Sequence, residues 1–186
     1  MKSLESVKFR DEQYLISECG KQNRLAQKYL YEKYYSRMYV LCIRYMKSRD
    51  EAEDVLQEGF VTIFSKIDTY SGEGSFEGWM RKIFVNTALM KLRKKDFLKE
   101  SVDVTEVRNV SFEPGILESI GGKEIMQLIA SMPTGFRTVF NMNIIEGYSH
   151  KEIAEALGIS EGTSRSQLNR ARMWLQEKIR LMEEKR

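Results

Sequence analysis

The sequence predicts an all-α fold of two small helical domains joined by a flexible linker. Three observations carry that expectation. Only two prolines occur among 186 residues, and alternating β-branched runs are few. Apolar residues recur at helical spacing on both sides of the chain's middle. Between them, residues 96–122 lose that period and hold Pro114-Gly115 and Gly121-Gly122. A hydrophobic content of 42% suffices for real cores, and the length allows one or two small domains.

Composition narrows the function classes. A net charge of +3 does not by itself announce nucleic-acid binding, so the distribution of charge matters more than its sum. Cys19 and Cys42 have no CxxC partner and suggest neither a disulfide framework nor a zinc site. No apolar run approaches membrane-spanning length and the first residues lack a signal-peptide pattern, so a cytoplasmic protein is expected. No cofactor is expected either.

Taken in order, the chain opens on a polar stretch in which Asp11, Tyr14, Leu15 and Ile16 predict a short helix. From Arg24 to Met46, residues Tyr34, Met38, Leu41, Cys42 and Tyr45 make one helical stripe, read as core. Asp50, with Glu53 three residues later, predicts the cap of the next helix. Ala52, Val55, Leu56, Phe60, Ile63, Phe64 and Ile67 are its expected buried face. Asp54, Gln57 and Glu58 lie off that stripe, as a solvated surface or as an acidic docking patch.

The loop Asp68–Ser75 carries Gly72 and Gly74 and lacks the Walker spacing and lysine of a phosphate loop. Ser75 is the expected cap of a basic helix in which Phe76, Trp79, Met80, Ile83 and Thr87 share a face. Lys82 and Asn86 lie elsewhere on it, with further cations at Arg81, Lys91, Arg93, Lys94 and Lys95. A basic helix that exposes Trp and Asn suits single-stranded nucleic acid, since aromatics stack on bases and cations hold phosphates. A Trp79 used only as core fits the same spacing.

In the second domain a helix over 124–131 is expected to bury Ile125, Leu128 and Ile129. Another, starting at Pro133, is expected to bury Phe136, Val139, Phe140 and Ile144. Ser149 and Glu152 then have capping-box spacing, Gly158 suits a helix end, and Ser160 caps a second helix from about Glu161. That pattern predicts a helix-turn-helix whose Arg165, Gln167, Asn169, Arg170 and Arg172 project outward. Such forked side chains read base edges in the major groove. A helical hairpin with a solvated basic face is the plainer alternative. Residues 177–186 mix charges and are expected to fray.

The stretches DEAEDVLQEGFVTIFSKI, FEGWMRKIFVNTALMKLR and GYSHKEIAEALGISEGTSRSQLNRAR, in that order, resemble the bacterial extracytoplasmic-function sigma factors of the sigma-70 family. The resemblance covers roughly residues 24–95 and 123–180. It implies sigma region 2 within residues 1–95, a linker over 96–122, and sigma region 4 within 123–186. It implies promoter DNA and core RNA polymerase as partners, through the beta-prime clamp and the beta subunit. Asp54, Gln57 and Glu58 fall in the family's core-binding segment. Asn86, with Trp79 and Lys82 on the same helix, falls near a base flipped from the melted minus-ten element. The loop Asp68–Ser75 shapes that base's pocket. Arg165, Ser166, Asn169 and Arg170 fall where the family contacts the duplex minus-thirty-five element. The linker resembles those that thread polymerase toward the RNA exit path. An anti-sigma factor, often membrane-anchored, is a further implied partner. Leu89, Met90 and Ser164 depart from common family residues.

Two rival classes fit less well. An enzyme would need partners for His150, which has none at metal-ligand spacing, or a base near either cysteine. A small-ligand repressor would need a dimer seam and a ligand domain, which the N-terminal half does not resemble.

Overall fold

The computed structural model describes residues 8–94 and 123–184, and all regular structure among them is helical. The expected linker over 96–122 and Lys95 lie outside the described residues. Contacts divide the chain into two compact units, residues 1–42 with 52–88, and residues 43–51 with 89–186.

The first unit opens on α1, Glu12–Gly20, at the position expected. Asp11 caps it, its carboxylate accepting from Tyr14 N at 2.8 Å. Leu15 and Cys19 turn inward with no exposed surface. The Tyr34 hydroxyl donates to Glu12 Oε1 at 2.5 Å, tying α1 to α2, Arg24–Tyr45. The stripe Tyr34, Met38, Leu41, Cys42 and Tyr45 is buried throughout.

Helix α3 spans Arg49–Lys66. Its cap is not Asp50. The Ser48 hydroxyl accepts from Glu51 N at 3.3 Å, and the Glu51 carboxylate accepts from Lys47 N at 3.3 Å. Ser48 and Glu51 repeat the serine-x-x-glutamate spacing two residues earlier, and the earlier start keeps Asp50 and Glu51 in the first turn, where the helix dipole favours them. Ala52, Val55, Leu56, Phe60 and Ile63 are buried as expected, Ile67 follows in a 3-10 turn, and Phe64 sits half-buried against Phe60.

Helix α4 spans Phe76–Lys94. Ser75 caps it, its hydroxyl accepting from Gly78 N at 3.0 Å. Its buried stripe is Phe76, Met80, Phe84, Val85, Ala88, Leu89 and Leu92. Ile83 and Thr87, expected inside, are half-buried at its edge. Gly59 of α3 makes the close approach of these helices possible. A Cβ there would lie 2.1 Å from Phe84 Cε1.

The second unit holds α5 (Lys123–Ser131), α6 (Thr134–Phe140), α7 (His150–Leu157) and α8 (Glu161–Glu183). Two expected core positions point outward. Ile125 is 58% exposed, and Met126, one residue on, is buried with Ile129 and Ala130. Ile144 is 47% exposed. After Phe140 the chain widens into a π turn, Asn141–Ile145, whose looser winding shifts the register and rotates Ile144 out while Met142 turns in. Phe136 and Phe140 are half-buried, and Val139 is buried as expected. Arg137 fills the interior beside it. Its Nη1 donates to the Ala130 carbonyl at 2.6 Å, and burial pushes the guanidinium down to about 10, still charged at neutral pH.

Local chemistry makes the last two helices. Ser149 and Glu152 form the reciprocal capping box, and Gly158 ends α7 at φ 67°. Ser160 caps α8, accepting from Thr163 N at 2.9 Å. Ile153, Leu157, Leu168 and Ala171 close the hairpin's core, while Leu175 is half-buried. The expected fraying from residue 177 does not occur before Glu183. Arg180 pairs with Glu177 at 3.0 Å and with Glu184 at 3.6 Å, supporting the last turns.

Candidate nucleic-acid interface

Three surfaces carry the residues that the sequence singles out. The first is on α4 and the loop before it. Phe76 is anchored in the core with 1% exposure, and the Trp79 ring stacks on it at 5.5 Å between centroids. Trp79 itself is half-buried, so the structure takes neither of the two readings whole. Its ring belongs to an aromatic cluster and still keeps a wet side. Lys82 and Asn86 are exposed one and two turns further along α4. Arg81 is half-buried, with Nη1 3.9 Å from the Glu77 carboxylate. Glu77 also accepts from Arg37 Nη1 at 2.5 Å, which fixes the start of α4 to α2.

Tyr70 belongs to this surface and was not among the expected residues. Its ring lies 5.2 Å from Phe76 and 5.7 Å from Trp79. Its hydroxyl donates to the Gly74 carbonyl at 2.8 Å, closing the loop on itself. Gly72 and Gly74 supply the positive φ, 81° and 72°, that this tight path requires. An aromatic inside a glycine-bearing loop was the available signal. Behind the cluster, Tyr34 meets Phe76 edge-on at 6.1 Å, and burial raises its phenol above the ordinary range.

The second surface is the outer face of α3. Asp54, Gln57 and Glu58 are all exposed. Val61 continues the same face at i+3 and i+4 from the last two and is 70% exposed. It too was missed, because a single valine outside the apolar stripe carries no periodic signal. An apolar knob within a polar rim is the composition of a docking face.

The third surface is the N-terminal half of α8. Arg165, Ser166, Asn169 and Arg170 are exposed, as is Arg172. Gln167, expected outside, is half-buried against Gly135, and its Oε1 is sealed from solvent. Arg165 Nη2 rests 2.7 Å from Glu161, an exposed pair of the kind worth about 0–1 kcal/mol, so a phosphate or base can displace the carboxylate cheaply. The Ser166 hydroxyl donates to the Thr163 carbonyl at 2.9 Å and keeps its lone pairs for an incoming donor. Helix α8 rests on α6 and α7, which hold these side chains on a rigid support.

Among the described residues no cluster of three or more His, Cys, Asp or Glu is placed to hold a metal ion. Nor is any helix there long and apolar enough to cross a membrane.

Two family models match the chain, one on each side of its middle. The Sigma-70 region 2 family model matches residues 30–97, and the Sigma-70 region 4 model matches residues 122–175. The ECF RNA polymerase sigma-E factor of Haemophilus influenzae is 31% identical over 180 residues, covering 90% of this chain and 95% of that protein. That of Escherichia coli K12 is 29% identical, with 90% and 94% covered. The ECF RNA polymerase sigma factor SigE of Mycolicibacterium smegmatis is 31% identical over 153 residues, 80% of this chain and 59% of that longer protein. A solved structure, CnrH in complex with the cytosolic domain of CnrY, is similar at 19% identity and a TM-score of 0.49, covering 90% and 96%. With both sigma-70 regions matched in order, and a relative covered almost end to end, the chain belongs to the extracytoplasmic-function sigma factors of the sigma-70 family, whose members act in transcription initiation.

Proposed function

We propose that this chain joins core RNA polymerase through the α3 face of Asp54, Gln57, Glu58 and Val61, captures the melted minus-ten strand on α4, and reads the upstream duplex with α8. In this reading residues 1–95 form the polymerase and minus-ten module, residues 123–186 the upstream module, and 96–122 the tether. The beta-prime clamp is the partner of α3, and the beta subunit a second contact. Family membership supports both partners, as it supports regulation by an anti-sigma factor and work in the cytoplasm beside the polymerase.

The observation that carries the reading is the half-exposed Trp79 ring, stacked on a buried Phe76, with Lys82 and Asn86 exposed along the same helix. Flipping a base costs a few kcal/mol of stacking. A ring already held in place recovers about 1–3 kcal/mol per stacked base. Lys82 neutralises a phosphate, and the Asn86 amide offers both a donor and an acceptor to a base edge. On α8, each good bidentate contact discriminates by about 1–3 kcal/mol. No covalent step falls to this chain; binding energy opens the strands and the polymerase supplies catalysis.

The test is transcription from a promoter library by core polymerase with and without the full chain. Promoter-specific transcripts that require the chain are expected. Asn86→Ala should then weaken selection of the melted strand more than binding of duplex. Transcripts indifferent to the chain would overturn the reading, and equal losses on both probes would overturn the role of Asn86.

A further inference from the structure

The chain has one histidine, and it bridges the two helices of the helix-turn-helix. His150 is the first residue of α7, directly after the Ser149 cap. Its Nδ1 lies 2.8 Å from Oγ of Ser164 on α8. Ser164 has no exposed surface and stands first in the buried stripe Ser164, Leu168 and Ala171. The next two residues along α8, Arg165 and Ser166, are exposed.

Both ends of this bridge are held. The Glu152 carboxylate accepts from Ser149 N at 2.8 Å and from the Ser149 hydroxyl at 2.7 Å, so the backbone carrying His150 is pinned. Ser160 caps α8 four residues before Ser164. Apolar packing at this point would press the helices together without direction. A hydrogen bond has a preferred length and line, so it selects one angle of α8 against α7. Burial adds to this, because a hydroxyl sealed from water that turns away from the imidazole has only a carbonyl of its own helix left to bond. Either the serine hydroxyl donates to Nδ1 or Nδ1–H donates to the serine oxygen, and both arrangements keep the contact.

We propose that the His150–Ser164 pair is the positioning contact of the upstream-reading helix. It fixes the pitch of α8 and hence how far Arg165, Ser166, Asn169 and Arg170 reach toward DNA. Neither His150 nor Ser164 touches DNA in this role. The claim rests on α8 being the duplex reader.

The experiment uses the full chain bound to its host's core polymerase. A pool of short duplexes with a randomised segment is selected on this holoenzyme, and the affinity ratio of the selected duplex to a scrambled one is measured. His150→Ala and Ser164→Ala should each lower that ratio about five- to tenfold, part of one good base contact, with scrambled affinity and melting temperature held. The double variant should lose no more than the worse single, since both remove one contact. His150→Asn, whose amide can reach the place of Nδ1, should restore most of the ratio. An unchanged ratio, losses that multiply, or a loss that only follows a lowered melting temperature would overturn the proposal. If His150→Ala fails to fold, Ser164→Ala, a mild change inside a helix, decides alone. Asn169→Ala separates the two claims. If it lowers the ratio while Ser164→Ala does not, positioning fails and the reading of α8 stands; if neither lowers it, both fall.

Discussion

The Trp79 ring lies on that of Phe76 with centroids 5.5 Å apart and planes inclined by 20°. Phe76 is fixed in the core, so Trp79 is held in orientation before any base arrives. A ring that needs no ordering on binding keeps more of its stacking energy as affinity. Trp79→Ala should therefore weaken binding of a melted minus-ten strand by about 1–3 kcal/mol, roughly 5- to 150-fold. Trp79→Phe should lose less. Fluorescence titration of holoenzyme with a fork-junction template checks this, and full binding by Trp79→Ala would remove Trp79 from the site.

The α3 face makes a separate prediction. Glu58 is exposed on a helix whose inner side is fully packed, so its charge can be reversed without touching the core. Glu58→Lys should weaken binding to core polymerase about tenfold, mostly at low salt, where an exposed charge acts over the longest range. Val61→Asp should also weaken it, with little salt dependence, because it removes apolar contact. Titration of labelled chain into core polymerase at two salt concentrations separates the effects, and unchanged affinity for both variants would rule this face out.

Much of this was legible because its causes are local. Ser149 with Glu152, Gly158, and Ser160 are each satisfied within one turn, and the hairpin they predict is the one found. The outward position of Asp54, Gln57 and Glu58 followed from the strength of the opposite stripe. What escaped depends on partners or geometry that period alone does not encode. Two caps fit the start of α3, and spacing does not choose between Ser48 and Asp50. The π turn after Phe140 has no apolar signature, so the inward assignment of Ile144 slipped, while Ile153, Leu157 and Leu168 beyond it are buried as expected. Tyr70 joined the site through rings six and nine residues away across a loop, and Ser164 gained its meaning only from His150, fourteen residues back.

The contact of Gly59 with Phe84 sets two opposing effects against each other. In an ordinary helix, Gly→Ala adds about 0.5–1 kcal/mol of stability by restricting the unfolded chain. Here the new Cβ would lie 2.1, 2.4 and 2.9 Å from three atoms of a ring with no exposed surface. Overpacking of that kind costs about 1–3 kcal/mol and should win. Gly59→Ala should lower the melting temperature of the first unit by several degrees, about 4–8 °C per kcal/mol for a domain of this size. The Phe84→Leu change in the same chain should recover part of the loss. A stabilised Gly59→Ala would show that α3 and α4 separate more easily than their packing implies.

Cys19 yields a prediction about pH. Burial, and then the neighbouring Glu18 carboxylate, push its thiol up from 9.0 to about 12. The unfolded thiol releases its proton near pH 9, whereas the folded one holds it far higher. Folded chain therefore binds the extra proton above pH 9, and stability falls as pH rises there. The contribution is complete below pH 9 and is lost progressively toward pH 12. Cys19→Ala removes this dependence while other groups titrate as before. The stability difference between wild type and Cys19→Ala, from denaturant midpoints, should be constant below pH 9 and shift against the wild type above it. In the same pH range Cys19, with no exposed surface, should resist alkylation until denaturant is added. A difference that stays flat to pH 12, or rapid labelling of Cys19 in folded chain at neutral pH, would mean that α1 opens far more readily than the Asp11 cap and the Glu12–Tyr34 bond imply.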